Sequence, residues 1–133
     1  MAKVSGAGQT TLSCDNAAGS LKDIKNDVTN WDIATPYNSQ VITGVDKNAE
    51  ERLNTIADAS GQLNTVFNPT ADRGHAVLSG DLRVVRTLTH VIAGATFTCE
   101  ALLSDYKVQR STSAELTAQS PWSLADGTLP AWT

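Results

Sequence analysis

Two long segments of alternating polarity, joined by a short polar link, constrain the fold of this chain more than any other feature. In the second segment, residues 112–124, apolar side chains occupy even positions while mostly polar ones occupy odd positions. The apolar residues are Ala114, Leu116, Ala118, Trp122 and Leu124. Period two over this length is typical of a β-strand with one buried and one solvated face. We therefore expect one long strand in a largely β protein.

The first segment, residues 95–109, begins on one apolar phase and then changes to the other. The first phase consists of Ala95, Phe97, Cys99, Ala101 and Leu103, and the second of Tyr106 and Val108. This change near residues 102–104 predicts a β-bulge or a strong bend. Residues 109–111 form the polar link, so the two segments are expected to pair. Strands longer than the usual five or six residues indicate a sheet that lines or spans something.

Length and composition limit the remaining possibilities. A chain of 133 residues is expected to form one domain, and its 5% aromatic content with abundant small polar residues favours strands and loops over long helices. A net charge of −4 does not favour non-specific binding of nucleic acid. Cys14 and Cys99 are expected to be buried thiols. No apolar run is long enough for a membrane span, and no signal peptide is evident, so we expect assembly in a cytoplasm.

The chain order predicts a flexible amino-terminal arm, residues 1–9, followed by a single β domain, residues 10–133. Strands are predicted at residues 10–14 and 82–93, and residues 52–58 and 60–68 are expected to form one or two strands. Residues 21–33 are expected to form a strand, a single helical turn and another strand. A short helix is expected at residues 70–79, because Asn68 can cap it and Pro69 suits its first position. About seven strands and one helix predict a sandwich or partial barrel with the helix packed at its side.

Residues 34–51 form the least regular part of the sequence. Pro36, Asn38, Gly44 and Asn48 interrupt it, and its apolar pieces are short. A loop this long is uncommon inside a compact domain and is usually functional. We expect it to contact a partner.

Residues that could carry catalysis or bind a metal are sparse. His75 and His90 have no Cys or carboxylate at metal-ligand spacing and are expected at ordinary surface or half-buried positions. Asp23 and Asp27 lie four residues apart, but the neighbouring lysines favour a solvated turn over an acid–base pair. We expect no enzymatic activity, no cofactor and no metal.

The three tryptophans have different expected roles. Trp122 alternates with core residues and is expected in the core. Trp132, after Leu129 and Pro130, is expected either to cover its own domain or to anchor the chain in a neighbouring subunit. Trp31 and Trp132 can also contribute to a stacking platform for sugars or bases.

Several segments together, in this order, resemble the major tail tube proteins of long-tailed bacteriophages with non-contractile (siphovirus-type) tails. The segments are LKDIKNDV at 21–28, VITGVD at 41–46 continuing to ERL at 51–53, GQLNTVFN at 61–68, HAV at 75–77, LSDY at 103–106 and DGTLPAW at 126–132. The resemblance extends over residues 21–132, nearly the whole chain.

The resemblance implies a tail-tube-type β-sandwich or partial barrel whose six copies close into a ring, with rings stacked into a hollow tube. Such a tube encloses the tape measure protein during assembly and later conducts genomic DNA, which occupies the lumen only transiently. The implied partners are further copies of the chain, the tape measure protein, and the tail terminator and tail-tip proteins. The implied location is the virion tail, assembled in the host cytoplasm.

The resemblance also implies roles for particular residues. Residues 34–51 match the loop that reaches the adjacent ring in this family, with Trp132 as a candidate inter-subunit anchor. The candidate inter-ring residues are Trp31, Asp32, Pro36, Tyr37, Val41, Val45, Asp46 and Lys47. Glu100 and Glu115, on the polar faces of the two long strands, are hypothesised to point toward the channel.

Other interpretations remain open from the sequence. One is a related ring-forming tail protein, such as a terminator or the tube of a contractile apparatus, because a shared fold does not separate these roles. Another is a carbohydrate-binding β-sandwich module of a tail tip that uses Trp31 or Trp132. A hydrolase that uses His75 with Asp72 has little support, because ordinary surface pairs on a helix have the same spacing.

Overall fold

The computed structural model describes residues 9, 11–112 and 115–133, and these residues form eleven strands and one short helix. The elements are β1 Thr11–Asp15, β2 Leu21–Asp23, β3 Val28–Ala34, β4 Tyr37–Val41, β5 Arg52–Ala57, β6 Ser60–Val66, α1 Gly74–Leu78, β7 Arg86–Ile92, β8 Ala95–Leu103, β9 Lys107–Arg110, β10 Leu116–Leu124 and β11 Ala131–Trp132. The predicted mostly β fold with one short helix is confirmed. The predicted number of strands, about seven, is too low.

Nine strands form one antiparallel sheet that bends over to enclose the core. One half has the order β2-β1-β7-β8, with β11 beside β8, and the other half has the order β9-β10-β6-β3. The halves join where the carboxyl end of β10 pairs with β8. Trp31 of β3 and His90 of β7 lie with ring centroids 4.6 Å apart, so strands distant in the sheet order approach across the interior. The molecule is a β-sandwich that stays continuous along one side.

The core follows the alternation of the two long segments. Phe97, Ala101 and Leu103 of β8 are almost fully buried, as are Ala118 and Trp122 of β10. Phe97, Ala101, Leu103 and Trp122 belong to a single apolar cluster with Leu12, Leu63, Val77, Leu78 and Leu88. Burial of this cluster provides the main driving force for folding of the sandwich.

The two long segments are shorter strands than the alternation predicts. The second strand begins at Leu116, which is 40% exposed, and the part of the prediction at residues 113–114 lies outside the described residues. The first segment, residues 95–109, is divided into β8 and β9 around residues 104–106, where a bulge or bend was expected. The break arises because β10 pairs with β8 at one end and with β9 at the other. The Ser104 N–H and hydroxyl both donate to the Pro121 carbonyl and so hold the segment between β8 and β9 against β10.

The helix is also shorter than predicted. It covers Gly74–Leu78 rather than residues 70–79, and Arg73 is the N-cap without a side-chain hydrogen bond. The Asn68 carboxamide accepts from the Thr70 N–H and so stabilises the preceding turn. The buried Asp27 carboxylate accepts the Gly74 N–H at 2.8 Å, which takes the place of a local cap. A contact with a residue 47 positions earlier therefore determines where the helix starts.

Other local predictions agree with the structure. Residues 21–33 form β2, a hydrogen-bonded turn and most of β3. Cys14 and Cys99 are both buried and free. Burial is the largest cause that raises their pKa values, to about 12 and about 11 respectively, so both thiols stay protonated at neutral pH. In the described part of the chain, no helix is long and apolar enough to cross a membrane.

Candidate assembly surfaces

Possible catalytic groups are dispersed or buried. Among the described residues, no three His, Cys, Asp or Glu side chains are placed to hold a metal ion. His90 is fully buried, contrary to the expectation of a surface or half-buried position, because it fills the interior between Trp31 and Phe97. Asp27 is also buried rather than solvated, since it accepts hydrogen bonds from Gly74 and Asn68. The contacts of these two buried groups are therefore structural, within the interior and at the start of the helix.

The most exposed apolar part of the molecule is a hairpin formed by β4 and β5, residues 37–57. Its strands pair with each other in a separate two-stranded sheet, and every residue of β4 and all but the last of β5 are exposed. The exposed apolar side chains are Tyr37, Val41, Ile42, Val45, Leu53 and Ile56. An isolated two-stranded hairpin is only marginally stable in water. A second surface is therefore expected to cover it.

The structure corrects the expectation that residues 34–51 lack regular structure. Residues 37–41 form β4, and the loop itself covers residues 42–51. The partner of β4 lies outside the interval, at Arg52–Ala57, so the interval alone does not reveal the hairpin. At its base the Asp58 N–H donates to the Pro36 carbonyl, and at its tip the Glu51 N–H donates to the Thr43 hydroxyl. These bonds shape the hairpin at both ends.

The predicted inter-ring residues divide between the hairpin and the sandwich. Pro36, Tyr37, Val41, Val45, Asp46 and Lys47 lie in the hairpin or directly before it. Trp31 and Asp32 lie in β3 of the sandwich. The Trp31 indole N–H donates to the Gln9 side chain, and its ring packs against His90. Trp31 is therefore held by contacts within its own sandwich and does not lie in the hairpin.

The outer face of the β9-β10-β6-β3 half is lined by amide and hydroxyl side chains. Strand register places Asn30, Asn64, Gln119 and Lys107 in one cross-strand row. The adjacent row contains Asp32 and Gln62 beside Pro121. Only one acidic and one basic residue occur in these rows, so the surface is polar with little net charge. The odd positions of residues 117–123 gave a sequence signal for this surface, but their alignment with polar residues of β3 and β6 depends on register.

The two glutamates expected to face the channel lie in different parts of the fold. Glu100 is in β8 of the other half, and its carboxylate accepts the Thr87 hydroxyl at 2.8 Å. Glu115 precedes β10, where its backbone carbonyl accepts the Ser111 N–H. The sequence reasoning treated the polar faces of both long segments as one surface. The structure separates them because β8 and β10 pair only near their carboxyl ends.

Trp132 contacts its own domain on one side only. Its ring centroid lies 5.1 Å from that of Phe97, and the residue is 51% exposed. The two expectations for this residue, a cover for its own domain and an anchor for a neighbour, both remain compatible with this position.

Two edges of the polar sheet are unpaired in the described chain. In the order β9-β10-β6-β3, the outer sides of β9 and β3 have no partner strand. Unpaired strand edges promote association with further strands unless they are protected. The chain therefore has two edges at opposite sides of one sheet that a second copy can join.

Neither a protein-family model nor a curated protein sequence matches this chain. Solved structures with the same fold do match. A chain in the virion of a native gene transfer agent (GTA) particle has 12% identity and a TM-score of 0.71, with 98% of this chain and 99% of that one covered. A chain in the tail of an empty GTA particle, determined with helical refinement and C6 symmetry, has 14% identity and a TM-score of 0.73, with 98% of each chain covered. At these identities the likeness shows a common fold along the full length.

Proposed function

We propose that this protein is a structural subunit of a phage-like tail, in which six copies close into rings and the rings stack into a hollow tube. The observation that carries the proposal is the full-length fold likeness to a chain of a helical tail with C6 symmetry. The match covers 98% of both chains, so the likeness applies to the whole fold described above. On this proposal the chain acts by assembly, in the virion tail, after synthesis in the host cytoplasm.

The unpaired edges support ring closure. A head-to-tail contact in which β3 of one copy lies beside β9 of the next satisfies both edges, and repetition around a closed ring leaves neither exposed. The polar face with Asn64, Gln62 and Gln119 then faces the channel. This replaces the sequence-based proposal for Glu100, which lies on the other half of the sandwich.

A channel wall of this composition suits the passage of DNA. Amide and hydroxyl groups form exchangeable hydrogen bonds with water, and one lysine together with one aspartate provides little net attraction for phosphates. The tape measure protein occupies the same channel during assembly, and terminator and tail-tip proteins close the two ends of the tube. The exposed half of Trp132 is proposed to contact a neighbouring subunit.

Electron microscopy of the purified protein over a concentration series tests the proposal. Hollow tubes or stacked rings of uniform width, with sixfold symmetry in end views, are the expected result. Single rings that never stack would favour the terminator alternative. A monomer that persists at high concentration, also after addition of preformed tail tips with tape measure protein, would contradict the proposal.

A further inference from the structure

The turn between β10 and β11 combines a reactive pair of residues with an open conformation. Asp126 precedes Gly127, and it is the only aspartate or asparagine in the sequence that has glycine as the next residue. Both residues are exposed. Glycine in an exposed turn leaves the backbone free to change conformation, whereas residues in paired strands are held in place.

The geometry of this turn favours attack by the backbone on the aspartate side chain. The Thr128 N–H donates to Oδ1 of Asp126 at 2.9 Å, which forms an Asx turn. This hydrogen bond folds the side chain back over the Gly127 amide and withdraws electrons from the carboxyl carbon. Gly127 has a φ of +75°, and no atom outside residues 126–128 lies within 4 Å of the position that a Cβ would take. The Gly127 nitrogen therefore meets no steric obstacle as it approaches that carbon.

The reaction open to these two residues needs only water as a co-reactant. The Gly127 nitrogen forms a bond to Cγ of Asp126 and gives up its proton. The bond from Cγ to the hydroxyl of the protonated carboxyl group breaks, so one water molecule leaves and a five-membered succinimide forms. Water then adds to one of the two ring carbonyls, the C–N bond there breaks, and the nitrogen regains a proton. Opening at the main-chain carbonyl yields isoaspartate, and no oxidant or reductant takes part.

An isoaspartate at position 126 adds one methylene group to the main chain of a short loop whose two ends are fixed to β8. At one end the Ala125 N–H donates to the Glu100 carbonyl at 3.0 Å. At the other end Ala131 pairs with Thr98. Strand β11 has only two residues, so few hydrogen bonds oppose its displacement. The added length is therefore expected to act on β11.

We propose that Asp126 is a site of spontaneous isomerisation, through a succinimide with Gly127, and that the isoaspartate form releases β11 from β8. The reaction takes place within one chain in water, so it does not depend on the proposed function. Asp46 and Asp105 are also exposed but precede lysine and tyrosine. A side chain on the following residue hinders the approach of its nitrogen, so these two aspartates are comparison sites within the same molecule.

Enzymatic methylation of isoaspartate tests the site. The purified chain is incubated for increasing times, labelled with isoaspartyl methyltransferase and S-adenosylmethionine, and digested with trypsin. Residues 111–133 contain no lysine or arginine and form one peptide, in which Asp126 is the only aspartate or asparagine. The label should increase with time in this peptide and stay at its starting level in the peptides that contain Asp46 and Asp105. The variant Asp126→Glu keeps the charge but cannot form a five-membered ring, so it should lose the label.

Hydrogen exchange of fresh and aged protein tests the effect on β11. Amides of residues 131–133 should exchange faster in aged protein, in proportion to the label, while those of β7 stay unchanged. Aged Asp126→Glu protein should keep the exchange rates of fresh protein. Absence of label in the peptide of residues 111–133, or an equal increase in the two comparison peptides, would overturn the site. Label at Asp126 without faster exchange at residues 131–133 would overturn the release of β11.

Discussion

The sandwich and the β4–β5 hairpin are built from similar residues but bury them to opposite extents. Leu63 in β6 is fully buried, whereas Leu53 in the hairpin is 52% exposed. The sandwich completes its core within one chain, but the hairpin strands have only each other. The sandwich therefore covers its apolar side chains within one chain, whereas those of the hairpin stay exposed unless a further surface covers them.

A matched pair of leucine truncations is expected to give the largest difference between the regions. Leu63→Ala should lower the free energy of unfolding by about 2–5 kcal/mol, because it leaves a cavity in the core. Leu53→Ala should change the stability of the monomer by less than about 0.5 kcal/mol. Urea unfolding of dilute protein, followed by tryptophan fluorescence, measures both. Similar losses in the two variants would show that the hairpin also packs against the sandwich.

The same Leu53→Ala variant should weaken assembly. A half-exposed leucine that becomes buried contributes about 1 kcal/mol, so the concentration needed for polymerisation should rise about fivefold. Light scattering over a dilution series measures this concentration, and Thr55→Ala in the same strand is the control. If the concentration needed for polymerisation does not change in Leu53→Ala, this side chain does not take part in a contact between copies.

Acid should destabilise the sandwich through His90. Burial lowers the pKa of His90 from 6.5 to about 4, and its neighbours Leu12, Trp31 and Phe97 are uncharged. Between these values the unfolded chain binds a proton that the folded chain does not, so stability falls as pH decreases. The expected loss is about 2 kcal/mol from pH 7 to pH 5. In His90→Leu, the free energy of unfolding should fall less between pH 7 and pH 5 than in the unmodified protein. An equal fall in both proteins would contradict the assignment to His90.

A smaller effect is expected at the turn that anchors the helix. In Asp27→Asn, an uncharged amide with a single acceptor oxygen replaces the carboxylate that accepts from Gly74 and Asn68. This change should lower the free energy of unfolding by about 1 kcal/mol. Asp23→Asn is the matched control, because its contact with the Lys25 N–H is exposed. Equal stability of the two variants, measured by thermal unfolding, would show that Asp27 does not hold the helix in place.

Local alternation revealed much of the sandwich but not its connections. Phe97, Ala101 and Trp122 are buried as the period-two pattern predicts, because each sits in a strand between two neighbours. The helix boundaries were wrong because Asp27, distant in sequence, fixes its start. No local pattern contains that contact.

The assembly surfaces were less predictable. An irregular loop was expected at residues 34–51, but the hairpin was not, because its second strand, β5, lies outside that interval. The polar face depends on which strands become neighbours, and the sequence alone does not show that Glu100 lies in the other half of the sandwich from β10. Register across β6 and β10 is a long-range property, so the sequence of either strand alone does not determine it.

Hydrogen exchange followed by mass spectrometry, on dilute monomer and on assembled protein, tests the central difference between the two regions most directly. We expect the amides of the sandwich strands, β7 and β8 among them, to be protected in both states. Amides of the β4–β5 hairpin should exchange rapidly in the monomer and become protected on assembly. Hairpin amides that exchange at the same rate in both states would contradict the account, because the hairpin would then have no partner in the assembled form.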